Sequence, residues 1–184
     1  MLILASQSPR RRELMGLFRI PFEVHAANID ETMEPGLAPA DAVAALSRRK
    51  ACAVARGEGD TVVAADTIVV CDGQILGKPH SEAQARQMLR LLSGREHQVM
   101  TGVSVLSASG FLTATEVTDL RFRPLSEREI DAYVATGEPM DKAGAYGIQG
   151  GAALFAEHLR GDYYNVMGLP VCRLWKMLHQ LGIV

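Results

Sequence analysis

Leu2-Ile3-Leu4-Ala5-Ser6-Gln7-Ser8-Pro9-Arg10-Arg11-Arg12-Glu13 is the stretch from which the rest of the chain is read. Its four apolar residues are too few for a helix and suit a buried strand. Ser8 is an N-cap and Pro9 fits the first helical position, so the spacing predicts a strand turning sharply into a helix. Three arginines then fall in the first helical turn, where cations oppose the macrodipole by a few tenths to about 1 kcal/mol each. An anion would offset them. The hydroxyls of Ser6 and Ser8, unpaired backbone N–H groups and guanidinium forks together make a site for phosphate or carboxylate. A solvated basic helix end is the other reading of the same residues.

Outward from this turn, Thr61-Val62-Val63-Ala64-Ala65-Asp66-Thr67-Ile68-Val69-Val70-Cys71 is a β-branched run with one acid at its centre. A carboxylate in a buried strand costs several kcal/mol unless it is paired or binds a metal, so Asp66 needs a partner. Asp72-Gly73 predicts a hairpin into Gln74-Ile75-Leu76. Gly77-Lys78-Pro79 follows, holding Lys78 on a stiff connection from which it could clamp phosphate.

A third stretch, Asp141-Lys142-Ala143-Gly144-Ala145-Tyr146-Gly147-Ile148-Gln149-Gly150-Gly151, is too rich in glycine for a plain connector and predicts backbone packed closely against something. Gln149 can donate and accept at once, which suits the edge of a nucleobase. A flexible loop is the alternative, weakened by Tyr146 and Ile148. The three stretches are expected to converge on one pocket.

Between them lies scaffold with two features of note. The polar stretch Asn28 to Pro39 is loop in composition and carries adjacent carboxylates, Asp30 and Glu31, which read first as surface solvation. Residues Asp41 to Arg56 form an alanine-rich helix with Val43, Leu46 and Val54 on a helical period; Arg48 and Arg49 are expected to face solvent, while Lys50 could lie against the protein. The first helix should bury Leu14, Leu17 and Phe18. A short strand is expected from Phe22 to His25, a helix from Ser81 to Leu92, and long strands over 97–106 and 111–123. Beyond these come a helix capped by Ser126 and Glu129, strand then turn over 161–170, and a helix over 171–181. This order predicts a mixed α/β sheet rather than a strict doubly wound one.

With 184 residues the chain suits one domain, with two lobes. A net charge of −2 argues against nucleic-acid binding, so any polyanion must be held by a local cluster of cations. Apolar residues preceding the arginines are the reverse of a secretory signal, and no run reaches membrane-spanning length; a cytoplasmic protein is expected, with no membrane partner. Cys52, Cys71 and Cys172 lack disulfide or zinc spacing and read as buried thiols. The five scattered histidines read as structural.

Taken together, LASxSPRR, the Asp30-Glu31 pair, RKA at 49–51, AADTIV at 64–69, GKP at 77–79, LSGxxHxVxTGV at 92–103, DKAGAYGIQG at 141–150 and NVMGLP at 165–170 resemble the Maf (septum-inhibition) family of nucleotide pyrophosphatases. The resemblance covers nearly the whole chain. It implies an α/β fold, a twisted mixed β-sheet flanked by helices with a deep central cleft, similar to inosine triphosphate pyrophosphatases. It implies hydrolysis of a nucleoside triphosphate to monophosphate and pyrophosphate with a divalent metal, Mg or Mn, and a tendency to homodimers. Thr67 and Gln149 stand as in the dTTP/UTP branch, not the 7-methyl-GTP branch. By the same resemblance Asp66 is the proton acceptor, Arg10, Thr67 and Gln149 select the base, and Ser6, Glu31, Lys50 and Lys78 line the cleft. Arg11 and Arg12 would share in neutralising the phosphates, and Asp66 with Glu31 would hold the metal; how these two divide the roles of ligand and base stays open. A nucleotide-binding regulator of septum formation without catalysis is the alternative from another class.

Overall fold

Strand β1 (Leu2–Leu4) leads through four residues to helix α1 (Pro9–Gly16) in the computed structural model, which describes residues 1–54 and 57–184. Ser8 caps α1 as expected, its side chain accepting the Arg11 N–H. The helix stops at Gly16, so its buried seam is Leu14 and Met15; Leu17 lies past the helix end and is exposed, unlike the expected face. Strand β2 (Phe22–Val24) pairs parallel with β1, and β1 pairs parallel with β3 (Thr61–Cys71) through Leu2 with Thr61 and Leu4 with Val63.

Helix α2 (Pro39–Ala53) buries Val43, Leu46, Ser47, Lys50 and Ala51, the three- and four-residue spacing of an inward helical stripe. Val54 is already extended, and the expected continuation over 55–56 lies outside the described residues. Asp72 and Gly73 both take positive φ, 49° and 77°, the two-residue turn that suits a twisted hairpin, and return the chain as β4 (Gln74–Leu76) antiparallel to β3. Helix α3 (Glu82–Leu92), β5 (Glu96–Ser107), β6 (Gly110–Phe122) and α4 (Glu127–Val134) follow close to their expected bounds; Ser126 and Glu129 form the full capping box.

Short 3₁₀ turns occupy 138–141, 143–145 and 151–154, before strand β7 (Ala156–Arg160), helix α5 (Tyr163–Met167) and helix α6 (Val171–Gln180). Here the expectation of strand over 161–170 fails. The strand ends at Arg160, and the Thr118 hydroxyl both accepts the Asp162 N–H and donates to its carbonyl, at 3.0 Å each, using the backbone groups a ladder would need. The aromatic, β-prone sequence then coils into α5, closed by bonds from the Gly168 and Leu169 N–H groups to the Tyr164 carbonyl.

Among the described residues the sheet has seven strands in the order β2-β1-β3-β5-β6-β7, with β4 beside β3, and its parallel and antiparallel pairs make it mixed as predicted. The chain forms two compact units: 1–67, 101–116 and 164–184, and 68–100 with 117–163. In the first, Ile3, Ala5, Ala51, Val54, Val62 and Ala64 form a small-residue core. In the second, His97, Phe122, Tyr146 and Phe155 pack edge to face. Of the three cysteines only Cys71 is buried; Cys52 and Cys172 sit on the outer faces of α2 and α6, contrary to the expected burial of all three. No helix among the described residues is long and apolar enough to cross a membrane.

Candidate active site

Asp66 finds its partner in the first unit. Its flanking Ala64 and Ala65 are fully buried, and the Lys50 ammonium reaches its Oδ1 at 2.6 Å and Glu31 Oε1 at 2.7 Å. The Lys50 side chain is 8% exposed and that of Asp66 13%, so the pair is held in a poorly solvated place where each charge stabilises the other, while Glu31 is half exposed. Helix α2 aims Lys50 because its inner face is pinned one turn earlier: buried Ser47 bonds the Ser104 hydroxyl of β5 at 2.8 Å.

Arg11, third residue of α1, lies beside this group. Its Nε donates to the Gly168 carbonyl at 2.7 Å, one terminal nitrogen to Thr67 Oγ1 at 3.0 Å and the other to Ser6 Oγ at 3.4 Å. Burial pushes its pKa down, Asp66 and Glu31 oppose that through their negative charge, and Arg10 adds to it. Three bonds to fixed groups orient the guanidinium plane. The Thr67 hydroxyl in turn bonds Thr101 Oγ1 at 2.9 Å, and Thr101 donates to the Asn165 carbonyl at 3.2 Å. Arg10 is half-buried and Arg12 exposed on the same helix.

Six predicted residues thus fall into two bonded groups, Ser6, Arg11 and Thr67 in one and Glu31, Lys50 and Asp66 in the other, with the charges of Asp66 and Glu31 acting on Arg11 between them. Lys78 and Gln149 belong to the second unit. Lys78 is exposed between Gly77, whose carbonyl accepts the Gly144 N–H at 3.1 Å, and buried Pro79. Gln149 is exposed on a turn whose neighbours Tyr146 and Ile148 are buried, which disposes of the free-loop reading. The glycines are packed closely, as expected, but against the protein itself. A Cβ at Gly150 would lie 2.1 Å from Glu138 Oε1, and Glu138 accepts from Gly151 N at 3.1 Å and Tyr133 Oη at 2.9 Å. Tyr133 Oη also accepts the Gly147 N–H at 3.0 Å, so both ends of the Gln149 turn are tied down.

Four participants escaped the sequence reading. Thr101 and Gly168 act through groups 34 and 101 residues from Thr67, and Tyr133 and Glu138 looked like ordinary helix and loop residues. Arg49, expected to face solvent, instead donates to the carbonyls of Thr32, at 2.9 Å, and Asp30. Arg48 does sit at the surface, its guanidinium 4.1 Å over the Phe111 ring. Among the described residues no three His, Cys, Asp or Glu side chains gather as a metal cluster.

Comparison with known proteins bears on this arrangement. The dTTP/UTP pyrophosphatase of Bacillus cereus (strain AH820) is 49% identical over 183 residues, 99% of this chain and 96% of its own. That of Bacillus cytotoxicus is 51% identical over 179 residues, covering 97% and 94%. The fold is shared with a HAM1 protein from Coxiella burnetii, at a TM-score of 0.53 and 15% identity over 97% of this chain and 98% of that one. Maf, described as Maf-like protein, matches residues 1–181, and the chain belongs to that family.

Proposed function

We propose that this chain is a nucleoside triphosphate pyrophosphatase that hydrolyses dTTP and UTP to the monophosphate and pyrophosphate. The observation that carries the reading is the Lys50 ammonium, buried between Asp66 and Glu31 and beside a guanidinium fixed at the start of a helix. Relatives about half identical over nearly their whole length bear the name of that activity.

A triphosphate brings about four negative charges, and its hydrolysis depends on positioning and charge neutralisation more than on covalent chemistry. Arg11, oriented by Ser6, Thr67 and Gly168, presents a fork to phosphate oxygens, with Arg10, Arg12 and the helix N-terminus adding positive potential. Lys78 adds a further cation. Asp66 accepts the proton of the attacking water, and the Lys50 ion pair at 2.6 Å keeps that carboxylate aimed. Arg10, Thr67 and Gln149 select the base.

Asp66 and Glu31 direct carboxylate oxygens at one cationic point, an all-oxygen donor set that fits magnesium or manganese. Those two residues would hold such an ion. When bound it would neutralise phosphate charge and make a coordinated water more acidic.

The test is pyrophosphate release from a panel of dTTP, UTP, CTP, GTP and 7-methyl-GTP with magnesium. Release from dTTP and UTP is expected, and Asp66→Asn should still fold and bind nucleotide while losing about 10²–10⁴ of the rate. Full turnover in that variant refutes the role of Asp66. Binding without release points to a regulator, and preference for 7-methyl-GTP to the sister branch.

A further inference from the structure

Glu31 lies in a segment, 25–38, that has no helix or strand, yet its carboxylate must stay within 2.7 Å of Lys50 Nζ. An exposed loop residue with several rotatable bonds does not hold such a place by itself, because ordering its backbone costs about 1–2 kcal/mol per residue. Two devices flank it. The Asp30 carboxylate accepts both the N–H and the hydroxyl of Thr32, at 2.9 and 2.6 Å, closing a local turn across Glu31. Arg49 then donates from one terminal nitrogen to the Asp30 carbonyl and from the other to the Thr32 carbonyl, so its fork bridges the residues on either side of Glu31.

We propose that Arg49 is a positioning residue for the reaction: its guanidinium clamps the carbonyls of Asp30 and Thr32 and so delivers the Glu31 carboxylate to the Lys50–Asp66 pair. The geometry accounts for the neighbouring side chains of α2 having separate tasks. Lys50 points inward to the two carboxylates, and Arg49, one residue earlier and therefore turned by about 100° around the helix, grips the loop that supplies one of them. The guanidinium is planar with diverging donors, and one ammonium at the same place cannot reproduce a bridge between two carbonyls. The inference rests on the pyrophosphatase reading for its kinetic part and on the structure alone for its structural part.

Arg49→Ala, Arg49→Lys, Glu31→Gln and the Arg49→Ala/Glu31→Gln double variant test it on the full chain with UTP and magnesium, alongside hydrogen–deuterium exchange of the segment 28–36. Arg49→Ala should lower kcat by about 10–100-fold with KM within about threefold, since ångström-scale misplacement costs that much. Arg49→Lys should remain impaired. In the double variant, turnover should match that of Glu31→Gln within about twofold, because a residue acting only through Glu31 has nothing left to position. Exchange over 28–36 should rise in Arg49→Ala, with the unfolding midpoint within about 2 °C of the parent. Wild-type turnover in Arg49→Ala or Arg49→Lys, multiplicative losses in the double variant, or unchanged exchange would each overturn the clamp. A parent protein that releases no pyrophosphate from any nucleotide refutes the pyrophosphatase reading, and the exchange measurement then decides on Arg49 alone.

Discussion

The Lys50 ammonium and the Asp66 carboxylate are both placed where an unpaired charge would be untenable; each is stable there because of the other. Removing one partner leaves a charge buried without compensation. Lys50→Met should therefore destabilise the protein by about 3 kcal/mol, read as a lower urea midpoint at unchanged m-value, besides abolishing turnover. His97 is a second residue whose burial has a measurable consequence. It lies 4.9 Å from the Phe122 ring and 5.5 Å from that of Tyr146, and its Nε2 pairs with Tyr146 Oη at 2.9 Å. Burial pushes its pKa down to about 4, with the Arg95 carbonyl opposing weakly. The imidazole thus stays neutral in the fold while the unfolded chain takes up a proton below about pH 6.5, so stability is full above that pH and falls towards pH 4. Between pH 7 and 5 this group alone should remove roughly 2 kcal/mol. Urea titrations at both pH values check it, and the His97→Gln variant should show a smaller drop.

At the scale of elements, α2 is the part that positions the candidate site, and what positions α2 is its contact with β5. A Cβ on Gly102 would lie 2.4 Å from the Val43 carbonyl oxygen and 2.8 Å from the Ala44 nitrogen, backbone atoms that cannot swing aside. Helix and strand therefore touch at a glycine two helical turns before Lys50. Gly102→Ala should push α2 outward, costing about 1–3 kcal/mol by overpacking and about a hundredfold in turnover through the displaced Lys50, measured by thermal unfolding and pyrophosphate release. Such contacts are hard to read in a sequence. The strands of Thr61–Cys71 and Glu96–Ser107 announce themselves by β-branched runs, and the helix starts at Ser8, Ser81 and Ser126 by their caps, but Gly102 looks like any glycine in a strand. Helix α5 was misread because propensity favours strand for Tyr-Tyr-Asn-Val, and a threonine 44 residues away decided otherwise.

For the molecule as a whole, the first unit is assembled from three separate parts of the chain, and its bonded network draws on all three: Arg11 and Thr67 from the first, Thr101 from the second, Gly168 from the third. The fold rests on apolar cores and hydrogen bonds, and among the described residues no cluster of three metal-ligating side chains staples it. The divalent ion proposed for the reaction would be held at Asp66 and Glu31. Chelator should lower pyrophosphate release by about a hundredfold or more while shifting the nucleotide-free unfolding midpoint by less than about 2 °C. A large loss of thermal stability on chelation would show an ion built into the fold.

Local chemistry alone determined that the chain alternates strands and helices in a mixed sheet, that a cationic turn follows the first strand, and that Asp66 requires a counter-charge, because period, capping and the cost of burying an acid are properties of a few neighbouring residues. Which cation answers Asp66, which hydroxyl and carbonyl hold Arg11, and that Arg49 grips a loop instead of facing water were settled only by packing. Those bonds join residues 16 to 157 positions apart, and their distances follow from how α1, α2 and the closing turn at Gly168 lie against the sheet.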